Sequence, residues 1–261
     1  MSAAITPLNT KLPSTGRMRR PHQAAEAIKN WIVEQRLLPG DRLPTEQELI
    51  QQFKMAKGTI REAMRIMEAQ GLVMTRTGPG GGAFVHAVSE ARAQSLLGNY
   101  FFFKDLTIAD IYQIRQALEP ELVASLAGRI TEEDLRRLEK IMEGYAVPAA
   151  DAETERQHHI ESLRFHAALA ELSKNDLLGF LIRFMTTMLS DLTVYRKLYD
   201  PPNHELWKKG LSYQRRLIKA LRCGHGEEAR HIMHAHMLTA RRQMEIQEGE
   251  MERRFISEQR N

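Results

Sequence analysis

The chain is 261 residues long, 43% of them apolar, with 37 basic and 33 acidic side chains for a formal net charge of +4. That length accommodates two domains with a core each, and that composition excludes a disordered chain. One cysteine, Cys223, excludes an intrachain disulfide and a thiolate zinc cluster.

The excess charge sits at the start of the chain. Residues 1–20 hold Lys11, Arg17, Arg19 and Arg20 with no acid, whereas residues 21–90 balance 8 basic against 8 acidic and residues 91–261 balance 25 against 25. With Pro7, Pro13 and Gly16 in it, the 1–20 segment is expected to be a flexible basic arm, suited to phosphates or to solubility alone. It has no apolar signal core, and no apolar run approaches the roughly 18 residues of a membrane span, YFFF at 100–103 being the densest cluster. No membrane partner is therefore expected, and the expected location is the cytoplasm.

Residues 21–90 read as four elements. Ala24, Ala27, Ile28, Trp31 and Ile32 share a helical face from Pro21 to about Leu37, where Pro39-Gly40 stops the helix. A short second helix, TEQELIQQF, opens on the capping-box spacing of Thr45 and Glu48. The third, KGTIREAMRIMEAQ, carries Ile60, Ala63, Met64 and Met67 on an apolar stripe, with Lys57, Arg61 and Arg65 four apart on another side and Gly71 as a left-handed cap. Two β-prone runs, 72–77 and 83–88, then flank Gly78-Pro-Gly-Gly-Gly82 as a hairpin. A dinucleotide-binding glycine loop is excluded, because that fingerprint requires a helix after the loop.

Three helices and a two-stranded wing make a winged helix-turn-helix, in which the second helix of the pair enters the major groove of duplex DNA. The segments LPTEQELIQQF, KGTIREAMRIMEAQGLV and the glycine-rich wing ending AFVH resemble the DNA-binding domain of the GntR bacterial regulators. Against that pattern Gln47 and Lys57 stand where arginine is usual, and Ala56 stands where a polar cap is usual. Lysine offers a point charge rather than a two-pronged donor. Loss of the cap at Ala56 predicts a helix start displaced toward Thr59, which repeats the capping-box spacing with Glu62. The DNA-contacting candidates are Arg61, then Lys57, Thr59 and Gln47, with Arg65 in the same basic row and Gly80 and Gly81 of the wing near the backbone.

Residues 95–246 read as an all-α domain of six or seven helices, followed by a 247–261 tail. The stripe Ile111, Ile114, Leu118 and Leu122 marks its first long helix, and further helices are expected over 153–173, 175–199, 205–223 and 226–246. Three polar residues fall on apolar faces: His166 with Leu163, Leu169 and Ala170; Gln214 with Leu211, Leu217, Ile218 and Leu221; and His236 with Ile232, Met233, Met237 and Ala240. Such groups must be partnered in the core or bind a ligand. His225, His231 and His234 lie on outward positions of an arginine-rich helix and read as surface residues.

The segments DIYQIRQALEPELVASLAGRITEEDLRRLEK, LRFHAALAELSKN and RRLIKALRCGHGEEARHIMHAHML resemble the helical FCD effector domain that follows the head in FadR-type GntR regulators. The resemblance implies a homodimer on palindromic operator DNA, commonly a repressor, that binds a small organic acid. It also implies a four-ligand divalent metal site at Ser162, His166, Gln214 and His236. Only His166 and His236 are ligand types there; His159 lies a full two turns from His166 and Glu161 is rotated off its face, so a metal-free pocket is expected. In it Ser162, His166, Gln214 and His236 supply hydrogen bonds and Arg115 one positive charge, unless Glu119 four residues on satisfies that arginine as a helix pair. No nucleophile–base pair or G-x-S-x-G signature points to an enzyme. A near-neutral helical domain with inward polar residues argues against an architectural DNA-packaging protein.

Overall fold

The computed structural model describes residues 19–104 and 106–258, with side chains through residue 249. The chain divides into two compact units after Ala93.

In the first unit α1 (Arg20–Glu34), α2 (Glu46–Phe53) and α3 (Lys57–Gln70) precede a hairpin of β1 (Val73–Arg76) and β2 (Gly82–Val85). The strands are antiparallel with Val73 opposite Val85 and Arg76 opposite Gly82; β1 is one residue shorter at each end than the predicted 72–77 run, while β2 begins one residue earlier and ends three residues earlier than the predicted 83–88 run. Ala24, Ile28 and Trp31 of α1 meet Leu49 of α2, Ile60, Ala63 and Met67 of α3, and Val73 and Val85 of the hairpin in one core. Burying these side chains is the main stabilising term, at about 25 cal/mol per Å² of apolar surface. Because α1 already begins at Arg20, the predicted 1–20 arm keeps only Arg19 outside the helix within the described residues; the rest of the arm, residues 1–18, lies outside them.

α4 (Glu90–Phe102), not predicted as a separate element, takes up most of the YFFF cluster. The second unit continues with α5 (Ile108–Leu126), α6 (Glu132–Glu143), α7 (Ala152–Glu171), α8 (Asp176–Tyr195), α9 (His204–Arg222) and α10 (Gly226–Glu258). Thr107 and Thr131 close capping boxes with Asp110 and Asp134, and Asp151, Asn175 and Asn203 cap α7, α8 and α9 with their side chains. Helix α5 packs along α10 and α8, and its buried face corrects the predicted stripe. Ile111 and Leu122 are buried, but Ile114 is 46% exposed while Arg115 and Glu119 are each 1% exposed. The stripe is rotated because those two charges satisfy each other inside and so occupy core positions.

One further expectation is corrected. The 247–261 tail is not a tail over its first twelve residues, since α10 continues to Glu258. Gln247 is buried and donates to Pro201 O at 2.9 Å, and Glu248 pairs with Arg196. The tail's strong helix formers, Glu, Met and Arg, extend the helix without an apolar stripe to announce it. Helix α8 is long and apolar enough by composition to cross a bilayer, although threonines and Arg183 interrupt its apolar run. Ile182, Phe184 and Leu189 are buried and Arg183 donates to Ala170 O at 3.2 Å, so α8 serves as a helix of the bundle.

Candidate functional site

The first candidate surface is the outer face of α2 and α3. Thr45 Oγ1 accepts from the Glu48 amide at 3.3 Å while the Glu48 carboxylate accepts from the Thr45 amide at 2.6 Å. That reciprocal pair fixes the start of α2. α3 starts at Lys57, not near Thr59. The Ala56 carbonyl accepts from the Thr59 and Ile60 amides at 2.9 and 3.1 Å, so the first turn closes without a side-chain cap. With Ile60, Ala63 and Met67 sealed below and Met64 half-buried, the side chains of Lys57, Arg61 and Arg65 are left 72, 57 and 70% exposed. Gln47 is exposed beside them and Thr59 is half-buried.

Acids share this face. Glu46 lies 4.0 Å from Lys57 Nζ and 3.9 Å from Arg61 Nε, and Glu62 lies 3.4 Å from Arg65. Exposed pairs of this kind contribute about 0–1 kcal/mol, so a phosphate displaces the carboxylate at little cost. In the wing Gly80 has φ +77°, and a Cβ on Gly81 would stand 2.5 Å from Arg76 O. Both positions demand glycine for the turn itself. Sequence reasoning missed Arg42, whose Nη2 donates to Gly81 O at 2.7 Å, and Arg92, which donates to Ala69 O at the end of α3. His86 Nδ1 meets Gly71 O there at 3.0 Å.

The second candidate site lies inside the helical unit. Arg115 Nε donates to Glu119 Oε1 at 2.5 Å, and the other carboxylate oxygen meets His166 Nδ1 at 2.5 Å. Burial by itself would raise the Glu119 carboxyl, but Arg115 and His166 outweigh it and hold it well below the usual carboxylate range. An ionised carboxylate only accepts, so His166 Nδ1 is the donor. Its Nε2 faces His236 Nε2 at 3.2 Å. Burial, then His166 and Arg115, keep the His236 pKa well below its ordinary value, so the His236 ring is neutral, and one proton is shared between the two facing Nε2 atoms. Beside them Tyr145 Oη donates to Gln214 Oε1 at 2.9 Å and Gln214 Nε2 to Ser162 Oγ at 3.4 Å.

A cavity of about 30 Å³ adjoins this cluster, with Glu155, His158, His159 and Ser162 of α7 on one side and Trp207 and Gly210 of α9 on the other. Burial first and Arg115 second bring the His159 pKa down to about 4, so its ring is neutral at pH 7. A roomier cleft of about 410 Å³ lies elsewhere, between the end of α5 and the α7–α8 turn, where Arg129, Lys174 and Asn175 line it. It holds none of the inward polar residues, and the smaller cavity is the better candidate for recognition because buried polar atoms converge on it.

The sequence profile of the bacterial regulatory proteins of the gntR family matches residues 21–85, and that of the FCD domain matches residues 110–239. The chain belongs to the GntR family. It is 27% identical over 208 residues to the HTH-type transcriptional regulator LutR of Bacillus subtilis (strain 168), covering 77% of this chain and 90% of that one. It is 27% identical over 179 residues to the Exu regulon transcriptional regulator of Escherichia coli (strain K12), covering 68% of this chain and 66% of that one. A solved Streptococcus agalactiae GntR structure shares the fold, with a TM-score of 0.57 and 24% identity over 85% of this chain and 99% of that chain. The protein is thus a transcription regulator, not an enzyme, with a GntR DNA-binding head and an FCD effector-binding domain.

The FCD residues present do not fit a resident divalent metal. Two imidazoles converge, but Ser162 and Gln214 are hydrogen-bonded to one another, and among the described residues no group of three or more His, Cys, Asp or Glu side chains is placed to hold a metal ion. His225, His231 and His234 are exposed. Arg115 is both a helix pair, as its spacing to Glu119 allows, and incompletely satisfied, because its Nη2 has no partner among the described residues. Tyr145, Glu155, His158, His159 and Trp207 were not singled out as pocket residues by the sequence. A signal existed for two of them: Glu155, His159, Ser162 and His166 recur at four, three and four residues, one helical face.

Proposed function

We propose that this GntR-family protein is a cytoplasmic homodimeric repressor, which reads the two halves of a palindromic operator and releases it on binding a small carboxylate. The observation that carries the DNA half is the split of α3: Ile60, Ala63 and Met67 are sealed in the core, leaving Arg61 and Lys57 at the early, outward positions that reach base edges in a helix-turn-helix. Gln47, Thr59 and Arg65 flank them, with Gly80 and Gly81 letting the wing approach the backbone. The dimer is supported by apolar surface left on the helical unit, where Phe102, Phe103 and Tyr195 are 78, 87 and 86% exposed.

The effector half rests on Arg115. A buried guanidinium with one nitrogen unpaired, next to the hydrogen-bonding groups of Ser162, His166, Gln214 and His236, suits an anionic ligand. Release follows if the carboxylate favours one spacing of the two heads over the other, since only differential affinity shifts an equilibrium.

Selection of bound sites from random duplexes, followed by titration, tests the reading. A palindrome bound by two copies is expected, and Arg61→Ala should cost specific binding about 1–3 kcal/mol with the helical unit still folded. Selection of a lone half-site, or an unchanged preference in R61A, would remove this assignment. A reporter placed behind the selected operator should rise when the gene is deleted, and a fall would reverse the proposed sign.

A further inference from the structure

Helix α7 presents a second polar feature that the Arg115 chain does not use. Glu155 is 7% exposed; its Oε1 accepts from the Asn203 amide at 3.1 Å, while its Oε2 has no partner among the described residues. His158 Nδ1 and His159 Nε2 are likewise unpartnered, and all three residues line the 30 Å³ cavity. Such a volume is close to one water molecule's share of the liquid. It therefore admits the tip of a ligand and not its body. Ser162, which lines the cavity and also accepts from Gln214, and Gly210, where an added Cβ would stand 3.7 Å from His236 Cε1, join it to the proposed effector cluster.

The chemistry of the unpaired atom sets what the tip must be. A carboxylate oxygen only accepts, so its missing partner is an O–H or N–H donor. A plain aliphatic acid brings no such group, and seating one there would leave Glu155 Oε2 buried and unsatisfied. We propose that Glu155 is a specificity-determining residue that reads a hydroxyl or ammonium on the effector, making the effector a hydroxy acid or amino acid rather than a simple carboxylate. This rests on the reading above that an acidic ligand group meets Arg115. His158 and His159 stand beside the same tip and, as imidazoles, complete its hydrogen bonds as either donor or acceptor.

Isothermal titration of the full chain with acids of two to six carbons, each offered in plain, 2-hydroxy and 2-amino form, tests the assignment. In the wild-type protein the hydroxy or amino member of a trio is expected to bind tenfold or more tighter than its plain counterpart, the size of one hydrogen bond to a charged group. The member that binds better tells hydroxyl from ammonium. Glu155→Gln keeps an oxygen for Asn203 but presents the cavity with a donor, so its melting temperature should stay unchanged while the preference collapses. Equal affinity across every trio, or a preference that persists in E155Q, overturns the role of Glu155 and leaves the carboxylate reading standing. If E155Q does not fold, the wild-type trios alone still decide. If no acid in the panel binds or releases operator DNA, the carboxylate reading falls and this inference with it.

Discussion

The two halves of this regulator use charge in opposite ways. On the head Lys57, Arg61 and Arg65 stand in water beside Glu46 and Glu62 at 3.4 to 4.0 Å, in pairs that contribute little and exchange readily. In the helical unit Arg115, Glu119, His166 and His236 are all 5% exposed or less, and each depends on the next for a partner. A surface that must trade one anion for another keeps its ion pairs exposed and weak. A cluster that holds one arrangement buries its pairs, where removing one partner strands the other.

The sharpest way to break this contrast is Glu119→Ala. It leaves Arg115 and His166 without their shared carboxylate and should destabilise the helical unit by about 3–5 kcal/mol, against about 0–0.5 kcal/mol for Arg65→Ala on the head. Urea unfolding of both variants checks it, and comparable costs would erase the distinction. A smaller effect follows from pH. The unfolded chain protonates His159 near pH 6.5, whereas burial delays that in the folded chain to about pH 4. Its contribution, complete above pH 6.5, is therefore lost as pH falls toward 4, and the neutral His236 adds to the same slope. His159→Gln should flatten the loss over that window; a stability profile parallel to wild type would contradict the depressed value. The smallest change is expected at the head. Glu46→Gln frees Lys57 and Arg61 from their nearest acid and should tighten operator binding by under about 1 kcal/mol, less at high salt. Weaker binding would show that Glu46 positions those cations instead of competing for them.

Most of the architecture was legible before any coordinates. The capping box at Thr45, the left-handed cap at Gly71 and the stripe of Ile60, Ala63 and Met67 are local patterns, and each stands where the sequence places it. The inward direction of His166, Gln214 and His236 was legible for the same reason: a residue sharing a helical face with buried leucines and methionines is carried inside with them. Where local pattern was silent, reading failed. α10 runs past residue 246 on charged helix formers, and Ile114 yields the core to Arg115 and Glu119.

By itself, then, the order of residues determined the helix-turn-helix, its wing, the helical second half and the inward direction of His166, Gln214 and His236, because helix period, caps and turns act over a few neighbouring positions. Only tertiary packing decided what those groups meet. His166 finds Glu119 across 47 residues, Tyr145 finds Gln214 across 69, and Glu155 faces a cavity whose opposite wall is α9. No periodicity encodes such partners, since they are set by how separate helices fill space around one core.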